Sequence, residues 1–133
     1  MPCRAPSVNV AYVDTSSLVA ISFAEPGYLE LADRLNSYSR LLSSNLLEAE
    51  MRAVFARENR VFDPRRLMGL DWIIPDRPLS LEFSRVLDIG YERGANLWHL
   101  ATALHVAREP QDMAFITLDD RQQDLAGRLG FGT

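Results

Sequence analysis

The sequence contains no lysine, because all 14 basic residues among its 133 are arginines. This absence excludes the usual forms of a phosphate-binding P-loop, a Schiff-base enzyme and a response-regulator receiver domain, since each uses a lysine amine at its site. The formal net charge is −4, so broad electrostatic attraction to nucleic acid or to anionic membranes is not expected. A local groove lined by arginine beside an acidic site is still compatible with this charge.

Cysteine and long hydrophobic runs are also scarce. The single Cys3 can form no internal disulfide, which indicates a reducing cytoplasm, and no neighbouring base would make it a nucleophile. The longest apolar runs, such as LVAI and MAFI, have only a few residues, whereas a membrane-spanning helix needs about 20. The N-terminus does not resemble a secretory signal. We therefore expect a soluble, cytoplasmic protein of one domain, residues 1–133, with no membrane partner.

The order of predicted elements indicates an α/β fold. Strands are predicted at residues 8–14, 39–44, 71–76 and 112–119. Helices are predicted at residues 15–26, 27–39, 46–59, 62–70, 78–94, 95–109 and 120–130. Such alternation predicts a central parallel sheet covered by helices on both faces, which is a three-layer α/β/α sandwich.

Two of the predicted strands end in an acid, Asp14 in AYVD and Asp119 in FITLD. The carboxyl ends of parallel strands form the binding edge of such sheets, so both carboxylates are expected there. Each aspartate alone is most simply a cap for the next helix. Together they predict a site for a divalent cation, which would neutralise two close negative charges. Zinc is disfavoured, because the only candidates for nitrogen and sulfur ligands are His99, His105 and the distant Cys3.

Two further acids, Glu48 and Glu50, follow the second predicted strand. They lie two residues apart, or about 200° around a helix, so only one of them can face the edge of the sheet. For Glu50 the alternative is an exposed ion pair with Arg52 or Arg57.

Four segments of the chain resemble the successive motifs of the PIN domain, particularly the VapC-type toxins of bacterial toxin–antitoxin pairs. They are YVDTSSLVA, SSNLLEAEMRAV, NLWHLATAL and FITLDDRQ. The resemblance covers nearly the whole chain, in the family's order and spacing. It implies a PIN-like sandwich and an endoribonuclease that uses Mg²⁺ or Mn²⁺ and is the toxin of a VapBC-type pair. It also implies a homodimer and a cognate antitoxin that shields the acidic pocket.

The resemblance assigns site residues by position. It gives Asp14, Glu50 and Asp119 as acids that are catalytic and bind the metal. Thr117 matches the hydroxyl residue of the family's T-x-D motif, and Asp120 is an accessory acid. The implied reaction is hydrolysis of a phosphodiester bond, in which the cation activates a water and stabilises charge on the phosphate.

The chain departs from the PIN pattern at Asn96, where the family has its third acid. An amide oxygen can coordinate a hard cation and asparagine is a good helix cap, but the amide has no negative charge and cannot act as a base. We keep Asn96 among the catalytic and metal-binding positions and hypothesise that it inactivates or attenuates the nuclease. It is either native or a deliberate replacement. The alternative function is an inactive PIN-like module that binds an antitoxin or RNA without cleavage.

Other residues near these motifs have weaker assignments. Arg93 and Arg121 flank the predicted pocket and are candidates to contact RNA phosphates. His99 is expected to be a core residue hydrogen-bonded to the backbone, and Trp72 and Trp98 are expected to pack rather than to stack on RNA bases.

A third possibility lies outside the PIN family, namely a phosphatase with an acidic pocket or a degenerate receiver domain. Both can use an aspartate at the end of the first strand. The phosphatases usually carry a second acid two residues later, where this chain has Ser16. The absence of lysine disfavours both.

Overall fold

A computed structural model describes residues 9–132 of the chain. Its strands are β1 (Val10–Val13), β2 (Arg40–Ser44), β3 (Leu70–Ile73) and β4 (Ala114–Ile116). They form one four-stranded sheet in the order β3-β2-β1-β4, and every pair is parallel. The predicted parallel sheet is therefore confirmed. Cys3, and Val8 where the first strand was predicted to begin, lie outside the described residues.

Six α-helices occur in this part of the chain. They are α1 (Thr15–Ser22), α2 (Tyr28–Asn36), α3 (Leu46–Arg57), α4 (Ser80–Ile89), α5 (Gly94–Val106) and α6 (Asp120–Leu129). A 3-10 helix at Pro64–Leu67 takes the place of the short helix predicted there. No helix within residues 9–132 is both long and apolar enough to cross a membrane.

The helices divide between the two faces of the sheet. Side chains alternate along a strand, so Ala11 and Val13 pack against α1 and α2, while Tyr12 packs against α4, α5 and α6. The apolar face of α3 joins α1 in a third cluster that includes Met51 and Phe55. Helices α1–α3 thus cover one face and α4–α6 the other, as expected for the predicted three-layer α/β/α sandwich.

The last strand is shorter than predicted. The prediction covered residues 112–119, but Asp112 ends a 3-10 helix that begins at Pro110, and β4 stops at Ile116. Beyond Ile116, the N–H of Asp119 donates to the Thr117 hydroxyl at 3.1 Å. The N–H of Asp119 is thus satisfied locally and not by a neighbouring strand.

The pairing of β1 with β4 brings two helix starts together. Val13 pairs with Ile116, and the N–H of Asp14 donates to the Ile116 carbonyl at 3.1 Å. Helix α1 begins directly after Asp14 and helix α6 directly after Asp119. The two aspartates therefore lie at the same edge of the sheet, as predicted for parallel strands.

Candidate active site

Asp14 is the most buried acid of this edge, with an exposed fraction of 2%. Its carboxylate accepts hydrogen bonds from the hydroxyl groups of Ser16 (2.8 Å), Ser17 (3.2 Å) and Thr117 (2.7 Å). It also accepts the backbone N–H of Ser17 at 3.3 Å, which makes it the cap of α1. Burial raises the pKa of Asp14, against the opposing effect of these hydrogen bonds. Asp14 is therefore both a helix cap and a desolvated acid. In such surroundings, a nearby cation would favour the charged form of the Asp14 carboxylate.

Asp119 is connected to Asp14 through Thr117. Asp119 caps α6 by accepting the N–H of Gln122 at 2.8 Å. The Thr117 hydroxyl lies 2.7 Å from Asp14 Oδ2 and 2.8 Å from Gln122 Oε1, and it accepts the N–H of Asp119. The amide of Gln122 donates to the backbone carbonyl of Asn96 at 3.2 Å. One buried hydrogen-bond network thus joins the ends of β1 and β4 to the first turn of α5.

Of the two acids on α3, Glu50 faces this network. Its Oε1 accepts the Thr15 hydroxyl at 2.7 Å and lies 2.7 Å from Nε2 of His99. Glu48 instead pairs with Arg52 at 2.6 Å on the exposed side of the helix. Burial raises the pKa of Glu50, but the hydrogen bonds from His99 and Thr15 outweigh it and hold the pKa below its ordinary value. The alternative of an exposed ion pair to Arg52 applies to Glu48 and is wrong for Glu50.

His99 is buried as expected, with an exposed fraction of 1%, but its ring bonds to side chains and not to backbone carbonyls. Its Nδ1 lies 2.6 Å from the Tyr12 hydroxyl, and its Nε2 faces Glu50. An ionised carboxylate can only accept, so Nε2 carries a hydrogen. Burial raises the pKa of Tyr12, so its hydroxyl keeps its proton and shares a hydrogen bond with Nδ1 of His99. The expected backbone partner was wrong because β1 and α3 supply both partners.

Removing the Tyr12 hydroxyl tests this arrangement. Tyr12→Phe is expected to lower the free energy of unfolding by about 1–3 kcal/mol, because Nδ1 of His99 loses its buried partner. Chemical denaturation measures the loss, and ¹⁵N NMR of the His99 ring should show a shifted Nδ1 resonance, while Nε2 keeps the hydrogen that faces Glu50. Tyr38→Phe is the matched control, since no hydrogen bond of the Tyr38 hydroxyl occurs within residues 9–132. An equal loss in both variants would contradict the assignment.

Asn96 is not the cap of α5, although asparagine is a residue suited to that role. The helix begins at Gly94, so Asn96 is its third residue and the cap position belongs to Arg93. No side-chain hydrogen bond caps α5, and the N–H of Arg93 itself donates to Oε1 of Glu92 at 3.0 Å. The Asn96 side chain is therefore not needed as a cap.

Asn96 lines an open polar pocket of about 480 Å³ beside Asp119. The residues around it are Tyr91, Glu92, Arg93, Asn96, Asp119, Asp120 and Arg121. Asp120, the predicted accessory acid, and both arginines predicted to contact phosphate thus share one pocket with Asn96 and Asp119. Asp14 and Glu50 are not part of its lining. They connect to it through the buried network and through Thr15, which follows Asp14 in sequence and bonds Glu50.

The donor atoms of this region fit a hard divalent cation, because they are carboxylate, amide and hydroxyl oxygens. In the described part of the chain, no three Asp, Glu, His or Cys side chains lie close enough together to hold one ion. Mg²⁺ usually takes one or two protein carboxylates and fills its other positions with water. The residues present therefore fit an ion held partly by water better than one enclosed by protein.

The two tryptophans differ in their surroundings. The Trp98 indole N–H donates to the Ser44 hydroxyl, and its ring lies 6.2 Å from that of Phe83, which agrees with the predicted packing role. Trp72 lies on the edge strand β3 and is 38% exposed.

Two residues of this region were missed by the sequence predictions, Gln122 and Glu92. Gln122 is completely buried and Glu92 is 4% exposed. No feature of the sequence marks Gln122, because its contacts with Thr117 and Asn96 form only when the chain folds. Glu92 stands four residues before Asn96 in a stretch rich in acids and arginines, and that position is the one signal that could have identified it.

The family comparison covers the part of the chain that contains this region. A model of the PIN domain matches residues 11–128, a range that includes Asp14, Glu50, Asn96 and Asp119. No curated protein matches the chain at a significant level. Because the match covers most of its length, the chain belongs to the PIN domain family, whose members are generally nucleases.

Proposed function

We propose that this protein is an endoribonuclease dependent on Mg²⁺ or Mn²⁺, the toxin of a VapBC-type pair, whose activity Asn96 attenuates. The observation that supports it most is the buried link between two acids at the edge of the sheet. Thr117 lies 2.7 Å from the Asp14 carboxylate and bonds the N–H of Asp119. Two negative charges brought together in this way favour a divalent cation. The preference for RNA and the toxin role rest on the VapC-like motifs.

In this proposal Asp14, Glu50, Asp119 and the amide oxygen of Asn96 would hold one or two ions, whose remaining positions are filled by water. A bound ion supplies an activated water and stabilises negative charge on the phosphate under attack. Asp14 and Asp119 are held in place by their capping bonds to α1 and α6. Glu50 is fixed through Oε1, and its Oε2 makes no hydrogen bond within residues 9–132, so it is the oxygen available to a ligand.

Two arginines are the candidates to bind the substrate. Arg93 and Arg121 line the pocket that contains Asn96 and Asp119, and a guanidinium group matches the geometry of a phosphate. The guanidinium of Arg121 also lies over the Tyr91 ring, 5.8 Å from its centre. We infer that these side chains contact RNA phosphates, while Asp120 assists as an accessory acid.

The toxin assignment includes a cytoplasmic homodimer and a cognate antitoxin. An open, mainly apolar groove of about 630 Å³ between α3 and α5 supports the proposal of a peptide partner. Its lining consists of Asn45, Leu46, Ala49, Gly94, Ala95 and Trp98. An antitoxin segment in this groove would lie beside the proposed site and could shield it from RNA.

A second candidate function is a PIN-like module that binds without cutting. The observation in its favour is Asn96 itself, because a neutral amide replaces the third acid of the family pattern. Antitoxin or RNA binding without cleavage in Mg²⁺ or Mn²⁺ would identify this case.

The two acids of α3 offer a matched test of the proposed nuclease. Glu50→Gln is expected to lower Mn²⁺-dependent cleavage of an RNA pool by roughly tenfold to a hundredfold, as found for residues that orient metal sites. Glu48→Gln removes the same charge from the same helix and loses only an exposed ion pair, so its cleavage rate should not change. Cleavage that persists in EDTA, or equal losses in both variants, would contradict the proposal.

A further inference from the structure

Glu92 has a buried oxygen that the proposed function does not explain. The residue lies two positions before α5 begins and is only 4% exposed. Its Oε1 accepts the N–H of Arg93 at 3.0 Å. Its Oε2 is buried without any hydrogen-bond partner, and it is the only such side-chain atom in residues 9–132. An unpaired carboxylate oxygen away from water is unfavourable, so a ligand that it would bind is the natural explanation.

The nearby arginines do not neutralise Glu92. Neither Arg93 nor Arg121 forms an ion pair within 4 Å in the described residues, although both line the same pocket. The Arg121 guanidinium is directed to the Tyr91 ring instead. The cation that would satisfy Glu92 Oε2 is therefore not provided by a protein side chain.

Glu92 lies close in sequence to Asn96, the position at which the PIN pattern has an acid and this chain has none. It lines one pocket with Asn96 and Asp119, and it lies four residues before Asn96 in sequence. The PIN pattern has a carboxylate at position 96, so the amide there leaves the pocket one negative charge short. A carboxylate at position 92 restores that charge from the adjoining loop.

We propose that Glu92 supplies a carboxylate to a divalent-cation site, in place of the third acid that the family pattern has at position 96. The ligands of the ion in this pocket would be Glu92 Oε2, the Asp119 carboxylate and the Asn96 amide oxygen, completed by water. Two carboxylates and an amide form a normal oxygen set for Mn²⁺ or Mg²⁺. This set is also consistent with the absence of three clustered acids within residues 9–132. The inference rests on the proposed metal-dependent function.

Mn²⁺ binding to the full chain, without RNA, tests the inference by isothermal titration calorimetry and by electron paramagnetic resonance of free Mn²⁺. Glu92→Gln is expected to raise the Kd for Mn²⁺ by about tenfold or more, because it removes one charged ligand. Glu30→Gln is the matched control, since Glu30 is an exposed acid on α2, and its Kd should equal that of the wild type. The melting temperature of Glu92→Gln in EDTA should be equal or higher, because the substitution removes a buried charge.

Moving the carboxylate back to the family position is the sharper test. The double variant Glu92→Gln, Asn96→Asp should bring the Kd for Mn²⁺ back to within about threefold of the wild-type value, because the ligand charge is restored. Loss of affinity in Glu92→Gln without recovery in the double variant would overturn the proposed replacement.

Asp14→Asn separates failure of this inference from failure of the proposed function. If Glu92→Gln binds Mn²⁺ like the wild type while Asp14→Asn binds weakly, Glu92 is not a ligand and the proposed metal site stands. If neither the wild type nor Asn96→Asp binds Mn²⁺ at millimolar concentration, both proposals are wrong.

Discussion

Asp14→Asn is expected to lower Mn²⁺-dependent RNA cleavage by about 10²–10³-fold, the loss typical when one group that stabilises charge in an active site is removed. The reason is the position of Asp14, which is buried at the junction of β1 and β4 and receives bonds from Ser16, Ser17 and Thr117. Such a carboxylate is already oriented and needs no rearrangement to meet a cation. An amide there keeps an oxygen but loses the charge. Cleavage of a labelled RNA measures the effect.

The loss of RNA cleavage in Asp14→Asn must be distinguished from a loss caused by unfolding of the variant. In EDTA, the free energy of unfolding of Asp14→Asn should stay within about 1 kcal/mol of the wild-type value, because weaker hydrogen bonds are offset by removal of a buried charge. Asp33→Asn makes the same chemical change at an exposed position of α2 and should leave cleavage unchanged. A well-folded Asp14→Asn protein that cleaves at the wild-type rate would show that Asp14 has no catalytic role.

Asn96→Asp is expected to raise the cleavage rate by about tenfold, which corresponds to about 1.4 kcal/mol of transition-state stabilisation. The new carboxylate would stand in the pocket with Asp119 and Glu92 and would give the site the acid that the PIN pattern has. Its backbone needs no change, because Asn96 lies inside α5 and is not a cap. Initial rates at several Mn²⁺ concentrations would distinguish tighter metal binding from faster chemistry.

The size of the increase in cleavage caused by Asn96→Asp depends on whether Glu92 already supplies a carboxylate to the metal site. In the Glu92→Gln background, Asn96→Asp should produce a larger increase than in the wild type, because no other carboxylate then replaces the missing acid. Asn96→Gln, which keeps an amide, is the control and should not increase cleavage. A rise in cleavage with Asn96→Gln would show that the acid is not what matters at this position.

The part of the fold that the sequence predicts well depends on local pattern. The run that ends at Asp14 and the run that precedes Asp119 are rich in β-branched and aromatic residues, and each leads directly into a helix. Alternation of such units requires parallel strands, and parallel strands place their carboxyl ends together. The common edge of Asp14 and Asp119 therefore followed from the sequence without knowledge of any contact.

The contacts within the site depend on tertiary packing and were not predictable in the same way. Tyr12 and His99 are 87 residues apart, and Thr117 is 103 residues from Asp14. The pattern around His99 indicates only a buried helix face, which is equally compatible with a backbone partner or with Glu50. The choice between Glu48 and Glu50 likewise required the family motif, because helical spacing shows only that the two point in different directions.

The most direct measurement compares RNA cleavage by the wild type, by Asn96→Asp and by the double variant Asn96→Asp, Asp14→Asn, each with Mg²⁺, Mn²⁺ or EDTA. We expect weak metal-dependent cleavage by the wild type, stronger cleavage by Asn96→Asp, and none above background by the double variant or in EDTA. If all three proteins bind Mn²⁺ and none cleaves RNA, the protein is not a ribonuclease and the binding-module alternative replaces that account.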